Sequence, residues 1–278
     1  MRTVNSEMIK QSVCGLFLSA CRMPGSDVLS AIKEAYQQET CPPSKEALSQ
    51  LIENARISEE TGMPYCQDTG MAVVFVDLGQ DVHIEGSLEK AINEGVRQAY
   101  EIGFFRKSVR DPITGKNTND NTPAVIHYDI VKGDKIVISV APKGFGSENM
   151  SRIGMLKPSD GIDGIKNFVI DCVKIAGGSP CPPVVIGVGI GGTFEKCALL
   201  AKKQLLRQIG TQNNDNDLKE LEHTLKQQVN ALNIGAMGFG GKNYCLAVHI
   251  AKYPTHIAGL PVAVNFQCHA SRHAHVVL

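Results

Sequence analysis

Apolar residues recur every three or four positions in the first part of the chain, over residues 6–62. Val28 and Ile32 illustrate this spacing, which predicts amphipathic helices. Pro24-Gly25 and Cys41-Pro42-Pro43 interrupt the pattern, so we predict several helices here instead of one long helix.

The pattern then changes to β-branched and apolar runs at residues 71–76 and 124–131, which predict strands. The turn Lys132-Gly133-Asp134 separates the second run from another one at residues 136–138. Because a short Gly-containing turn between two such runs is typical of a β-hairpin, we predict that these two strands pair with each other.

Helices and short strands alternate over the rest of the chain. The predicted helices cover residues 161–176, 193–207 and 218–232, and the predicted strands 182–186, 245–250 and 261–266. There is no internal repeat and no low-complexity linker. We therefore predict a single α/β domain over residues 1–278, rich in helices that surround small, mostly antiparallel or mixed β-sheets.

Charge and composition limit the possible functions. The chain has 28 Lys and Arg against 28 Asp and Glu, so it lacks the basic excess that is typical of nucleic-acid binding. No apolar run approaches the roughly 20 residues that a membrane helix needs. The N-terminal apolar residues, such as Val13 and Phe17, fall at helical spacing, which favours a packed helix over a signal peptide. We predict a soluble protein.

Nine cysteines are present, an odd number that cannot pair completely into disulfides, so we expect a reducing, cytoplasmic environment. Five of them lie on apolar helical or strand-like faces, where a free thiol packs as a small hydrophobe: Cys14, Cys21, Cys172, Cys197 and Cys245. Cys41 lies next to prolines, and its context assigns it no role.

The other three cysteines, Cys66, Cys181 and Cys268, lie in turn-forming stretches with polar, Gly or Pro neighbours. Each alone fits a metal ligand or an inert thiol equally well. Three thiolates from separate loops would suit an iron–sulfur cluster, whose usual complement is four ligands. A missing fourth protein ligand would leave one iron open to substrate.

Two other motifs suggest different chemistry. Residues 187–192 satisfy G-x-G-x-x-G after a predicted strand and before a predicted helix, as in dinucleotide-binding proteins. About 20 residues further on, however, residues 212–215 form a polar loop in place of a second strand that ends in an acidic residue. A tight turn between strand and helix explains the glycines without a cofactor and is the preferred interpretation. Residues 268–275 contain Cys and His suited to zinc, but no C-x-x-C pair occurs in the chain.

Five stretches, in order and at comparable spacing, resemble the iron–sulfur hydro-lyases of the class I fumarase and tartrate dehydratase family. They are residues 64–70 (PYCQDTG), 116–123 (KNTNDNTP), 143–149 (KGFGSEN), 181–192 (CPPVVIGVGIGG) and 266–269 (FQCH). They match the α subunit, or the N-terminal half of the fused enzymes, and the resemblance covers nearly the whole chain.

This resemblance implies a [4Fe-4S] cluster held by Cys66, Cys181 and Cys268, with the fourth iron binding the substrate hydroxyl and a carboxylate. It implies that Gln67 contacts the substrate and that Asp68 acts on the leaving hydroxyl together with His256. The alternative for Asp68 is an Asx-type turn with Gly70, and for His256 a surface position.

The resemblance also implies that Arg106 clamps a substrate carboxylate through its planar guanidinium, with Arg110 as a nearby rival. Gly144 and Gly146 would offer backbone amides to the second carboxylate. The fused members have Gly where this chain has Phe145, a departure that bears on the expected contact between this loop and the second carboxylate.

The activity implied is the reversible hydration of fumarate to L-malate, with dehydration of L-tartrate as the close alternative. The family's general base lies in a separate β subunit or C-terminal domain, so we expect an α subunit that is inactive alone and forms αβ pairs, themselves dimerised. A non-catalytic metal-binding or redox-sensing protein is the alternative from another class.

Overall fold

The computed structural model describes residues 2–278. The chain divides into two compact units. The first unit takes the residues up to Gly25, Ala55–Phe145 and Arg272–Leu278, and the second takes Ser26–Asn54 and Gly146–Ser271. Each unit has its own four-stranded sheet. The mixed α/β architecture with helices around small sheets is confirmed, whereas a single domain over residues 1–278 stays a prediction.

In chain order the elements are β1 (Arg2–Asn5), α1 (Ser6–Arg22), α2 (Ser26–Gln38), α3 (Pro42–Thr61), β2 (Met71–Gly79), β3 (Val82–Glu85), α4 (Leu88–Ile102), β4 (Val125–Val131), β5 (Ile136–Lys143), α5 (Phe145–Glu148), β6 (Arg152–Leu156), α6 (Gly161–Ala176), β7 (Val184–Gly191), α7 (Phe194–Gln204), α8 (Asn216–Asn230), β8 (Cys245–Tyr253), β9 (Leu260–Gln267) and β10 (Ala274–Val277).

The sheet of the first unit has the order β10-β5-β2-β4, and helices α1 and α4 pack over it. The Asn5 side chain accepts a hydrogen bond from the Glu7 N–H and so begins α1. Ile9, Val13 and Phe17 of α1 are fully buried in the core. The N-terminal apolar residues therefore belong to a packed helix, as their spacing predicted.

The predicted hairpin between residues 129–131 and 136–138 is wrong. Strand β2 lies between β4 and β5, pairing with β4 in parallel and with β5 antiparallel. Five consecutive residues of β2, at positions 72–76, are buried. A strand with this burial on both faces is stable only in the centre of a sheet, and this requirement outweighed the local turn signal at residues 132–134.

The sheet of the second unit has the order β6-β9-β7-β8, with a core formed against α6 and α8. Helix α7 packs closely on β7. A Cβ added to Gly187 or Gly189 would lie 2.0 Å from a carbonyl oxygen of α7, so only glycine allows this approach. Both glycines lie inside the strand instead of in a turn that faces a ligand. The G-x-G-x-x-G stretch is thus a packing motif, and the dinucleotide alternative loses its structural context.

Within residues 2–278, none of the helices is long and apolar enough to cross a membrane.

Candidate active site

The structure separates the nine cysteines as their sequence context predicted. All five thiols assigned to packing are buried: Cys14, Cys21, Cys172, Cys197 and Cys245. Burial raises the pKa of Cys21 and Cys245 to about 12 and that of Cys172 to about 11. These thiols stay protonated at neutral pH, which makes them unsuited to bind metal.

The three remaining loop cysteines lie outside the core. Cys66, in the first unit, and Cys268, in the second, are half-buried, and Cys181 is exposed. Cys181 has a φ of 54°, in the left-handed region that a non-glycine residue rarely adopts. Such backbone conformations concentrate at functional sites. Cys41 is half-buried as well, with its Sγ 3.7 Å from the Phe239 carbonyl oxygen.

In the second unit, the loops that carry Cys181 and Cys268 lie against each other. The His269 N–H donates to the Cys181 carbonyl at 3.2 Å. A Cβ added to Gly146 would lie 3.7 Å from the carbonyl oxygen of Ser179, so the start of the Gly146–Ser147 stretch borders the Cys181 loop. Three of the five sequence motifs therefore contribute to one surface of this unit.

Asp68 links two motifs of the first unit. Its Oδ1 accepts a hydrogen bond from the Gly70 N–H at 3.0 Å, which is the Asx-type turn weighed above. Its Oδ2 accepts one from the Phe145 N–H at 2.9 Å. Because this donor is a backbone amide, the departure at Phe145 leaves the contact intact, and the phenyl ring points outward with 46% of its surface exposed.

A side chain at Gly144 would crowd Asp68. A Cβ there would lie 3.1 Å from Asp68 Oδ2 and 3.4 Å from Arg272 Nη2. Arg272 is 2% exposed and is among the largest fully buried side chains. The sequence analysis missed this arginine, because a charged residue just before a short strand carries no signal of burial. Its position beside Asp68 places a positive charge next to the carboxylate.

A buried hydrogen-bond network fixes the Asp68 loop. The Tyr100 hydroxyl donates to the Thr69 carbonyl at 2.6 Å, and the Asn121 side chain donates to the Gly70 carbonyl at 3.1 Å. Burial raises the pKa of Tyr100 well above its usual range, so the hydroxyl remains a donor. Asn121 belongs to the KNTNDNTP stretch, for which the sequence analysis gave no role.

Arg106 is tied to this loop through its backbone, since the Thr69 Oγ1 donates to the Arg106 carbonyl at 3.0 Å. The side chains of Gln67, Arg106 and Arg110 are exposed. Arg110 forms a β-bridge with Asn117, further along the loop. The backbone of Arg106 is thus bonded to the residue that follows Asp68, whereas the choice between Arg106 and Arg110 as carboxylate clamp stays a prediction.

His256 lies in the second unit, exposed on a turn before β9. Its Nδ1 accepts a hydrogen bond from the Ala258 N–H at 3.1 Å. It borders a largely apolar cavity of about 440 Å³ that includes Ile257 and Leu260. His256 thus occupies a surface position in this unit, which was the alternative considered for it. Its predicted action together with Asp68 stays a prediction.

In neither unit do three or more His, Cys, Asp or Glu side chains of the described residues form a closed metal site. This applies to the C-terminal zinc alternative and to the predicted cluster ligands alike, so neither is tested by it. The assignment of Cys66, Cys181 and Cys268 as ligands of an iron–sulfur cluster stays a prediction.

The comparisons with known proteins agree with this set of motifs. A sequence profile described as fumarate hydratase (fumerase) matches residues 10–277. A Methanocaldococcus jannaschii protein named "Putative L(+)-tartrate dehydratase subunit alpha" is 44% identical over 273 residues, covering 96% of each chain. The L(+)-tartrate dehydratase subunit alpha of Escherichia coli strain K12 is 32% identical over 255 residues, 90% of this chain and 84% of the relative. The chain belongs to the fumarate hydratase family of hydro-lyases, where its relatives are α subunits.

Proposed function

We propose that the chain is the α subunit of an iron–sulfur hydro-lyase that reversibly hydrates fumarate to L-malate. The observation that carries the proposal is the division of the cysteines. Five thiols are buried, while Cys66, Cys181 and Cys268 lie outside the core on the loops that carry the family motifs. Thiols on such loops are where a scaffold can present ligands to a metal.

Cys66, Cys181 and Cys268 would hold a [4Fe-4S] cluster. When bound, it supplies a Lewis acid that withdraws charge from the substrate hydroxyl, whose departure is otherwise slow at neutral pH. Asp68 supplies the proton that the leaving hydroxyl needs, at Oδ2. Because Oδ1 is held by Gly70, the plane of this carboxylate is fixed before substrate arrives. His256 is its proposed partner in proton transfer.

Arg272 acts as a positioning residue in this proposal. Its guanidinium lies against the same space as Asp68 Oδ2, beside Gly144, and its burial means that little solvent screens the two charges from each other. The attraction between the two charges helps to hold the Asp68 carboxylate in place.

Arg106, Gln67 and the amides of Gly144 and Gly146 would bind the dicarboxylate. An exposed guanidinium beside the Asp68 loop can grip one carboxylate with two parallel hydrogen bonds. Peptide N–H groups of a glycine-rich loop suit the other. The chain's balance of 28 basic and 28 acidic residues is compatible with this role, because a small substrate needs only a few local cations.

The general base that removes the proton next to the substrate carboxylate would come from a β subunit. The names of the relatives, which are α subunits, support such a partner. The chain alone would then be inactive, and we propose αβ pairs that dimerise in the cytoplasm.

L-tartrate dehydration is the second candidate. The relatives' names favour it, whereas the KGFGSEN wording of residues 143–149 resembles fumarase α chains. Both reactions remove water from a hydroxy dicarboxylate, so the same residues would serve either one. A non-catalytic metal-binding or redox-sensing protein would need no β subunit and no substrate arginine.

The test is an assay of the chain co-purified without oxygen with its β subunit. Fumarate, L-malate and L-tartrate are offered separately, and the chain alone serves as the control. We expect fumarate hydration that needs both subunits and is preferred over L-tartrate dehydration. Preference for L-tartrate would establish the second candidate, and hydration by the chain alone would contradict the proposed division of the site.

A further inference from the structure

The open edge of the first unit's sheet is a long, regular and apolar strand. β4 is the outermost strand and pairs with β2 over seven consecutive residues, Val125–Val131, without a shift in register. Its side chains are well exposed, with Ile130 at 78%, Tyr128 at 47% and Val131 at 38%. Strands of this kind are templates for pairing with another strand.

The backbone direction of β4 follows from one hydrogen bond. The Gln80 N–H donates to the Val131 carbonyl at 2.9 Å, so Val131 directs its backbone groups towards β2. Backbone groups alternate in direction along a strand. Ile126, Tyr128 and Ile130 therefore direct their N–H and C=O groups to the open edge.

In the other sheet, side chains bond to the backbone groups of the edge strand β8. On β8, the Asn230 side chain bonds both backbone groups of Cys245, at 2.8 and 3.1 Å, and Glu222 accepts the Ile250 N–H at 2.7 Å. Over residues 2–278, no side chain is found bonded to the outward groups of β4. The strand also contains no Lys, Arg or Pro, the residues that commonly protect an edge.

The sequence of β4 is complementary to itself. If two copies pair antiparallel about a two-fold axis at Tyr128, His127 of each copy faces Asp129 of the other, and Ile126 faces Ile130. The terminal residues Val125 and Val131 then also face each other. A shift of the axis by one residue sets His127 against His127 or Asp129 against Asp129, and leaves part of the strand unpaired.

We propose that β4 is a homodimerisation strand that pairs with β4 of a second copy in this register. The three outward residues of each copy would form a run of backbone hydrogen bonds across the axis, and the exposed Tyr128 and Ile130 side chains would become buried. The proposal rests on the dimerisation proposed above and names its surface. Because the readout is mass, its failure can be distinguished from failure of the proposed reaction.

The test measures the mass of the purified full chain by light scattering and sedimentation over a range of concentrations. We expect a dimer. Ile130→Lys should weaken dimerisation by about tenfold or more, since it places an ammonium group in the apolar contact. Ile113→Lys is the matched control, at a 93% exposed position of the same unit, and should dimerise as the unmodified chain does.

Mild oxidation of Tyr128→Cys tests the register. Hydrogen-bonded antiparallel pairs have Cα atoms about 5.5 Å apart, within disulfide range, so this variant should form a crosslinked dimer above the background of the unmodified chain. Ile130→Cys should not, since its copies would lie far apart along the strands. A monomeric unmodified chain, an Ile130→Lys dimer of normal strength, or a Tyr128→Cys variant that does not crosslink would overturn the proposal.

Discussion

At the scale of single residues, the environment of each thiol decides what it can do. Cys181 is exposed in a left-handed conformation, whereas Cys197 is fully buried against β9. This difference was predictable from sequence because the apolar period around Cys197 and the prolines around Cys181 are local signals. The buried position of Arg272 near Asp68 was not predictable, because it depends on Gly144 and Asp68, which are distant from it in the chain.

Gly144→Ala tests the close contact of Asp68 with the Gly144 backbone. The added methyl would lie 3.1 Å from Asp68 Oδ2 and would push the carboxylate out of position. We expect kcat/KM of the αβ enzyme to fall about 10- to 100-fold, with little change in thermal stability. Gly15→Ala, which has open space around its position, is the control for a Gly-to-Ala change. Full activity of Gly144→Ala would show that this contact has no role in the reaction.

At the scale of elements, short-range signals identified the helices and strands but not how the strands pair. The turn at residues 132–134 resembles a hairpin turn, yet β4 and β5 lie on opposite sides of β2. Pairing depends on which strand needs burial on both faces, and that is a property of the whole sheet. The role of the G-x-G-x-x-G stretch likewise depends on tertiary structure, since only the packing of α7 on β7 distinguishes a packing motif from a phosphate-binding turn.

Gly189→Ala tests the packing of α7 on β7. The added Cβ would lie 2.0 Å from the Cys197 carbonyl oxygen, so the helix must move away from the strand. We expect the free energy of unfolding to fall by about 3 kcal/mol or more in denaturant titrations. Gly15→Ala should leave it unchanged or raise it by up to about 1 kcal/mol, since that site lies in α1. Equal stability of both variants would contradict the packing role of the glycine.

At the scale of the whole molecule, the mixed α/β class followed from the alternation of helical and strand-like patterns. The family followed from five ordered motifs, and the profile match over residues 10–277 confirms it. The division into two compact units was not predictable, because each unit is assembled from separate stretches of chain. No composition shift or linker marks such boundaries in the sequence.

The central claim is that three loop cysteines of this chain hold an iron–sulfur cluster. The most direct measurement is the visible spectrum and iron content of the chain purified without oxygen, in the unmodified form and as Cys181→Ser and Cys197→Ser. We predict a brown protein whose chromophore is lost in Cys181→Ser and kept in Cys197→Ser, because only the first thiol lies outside the core. A colourless unmodified chain, or equal loss of iron in both variants, would contradict the account.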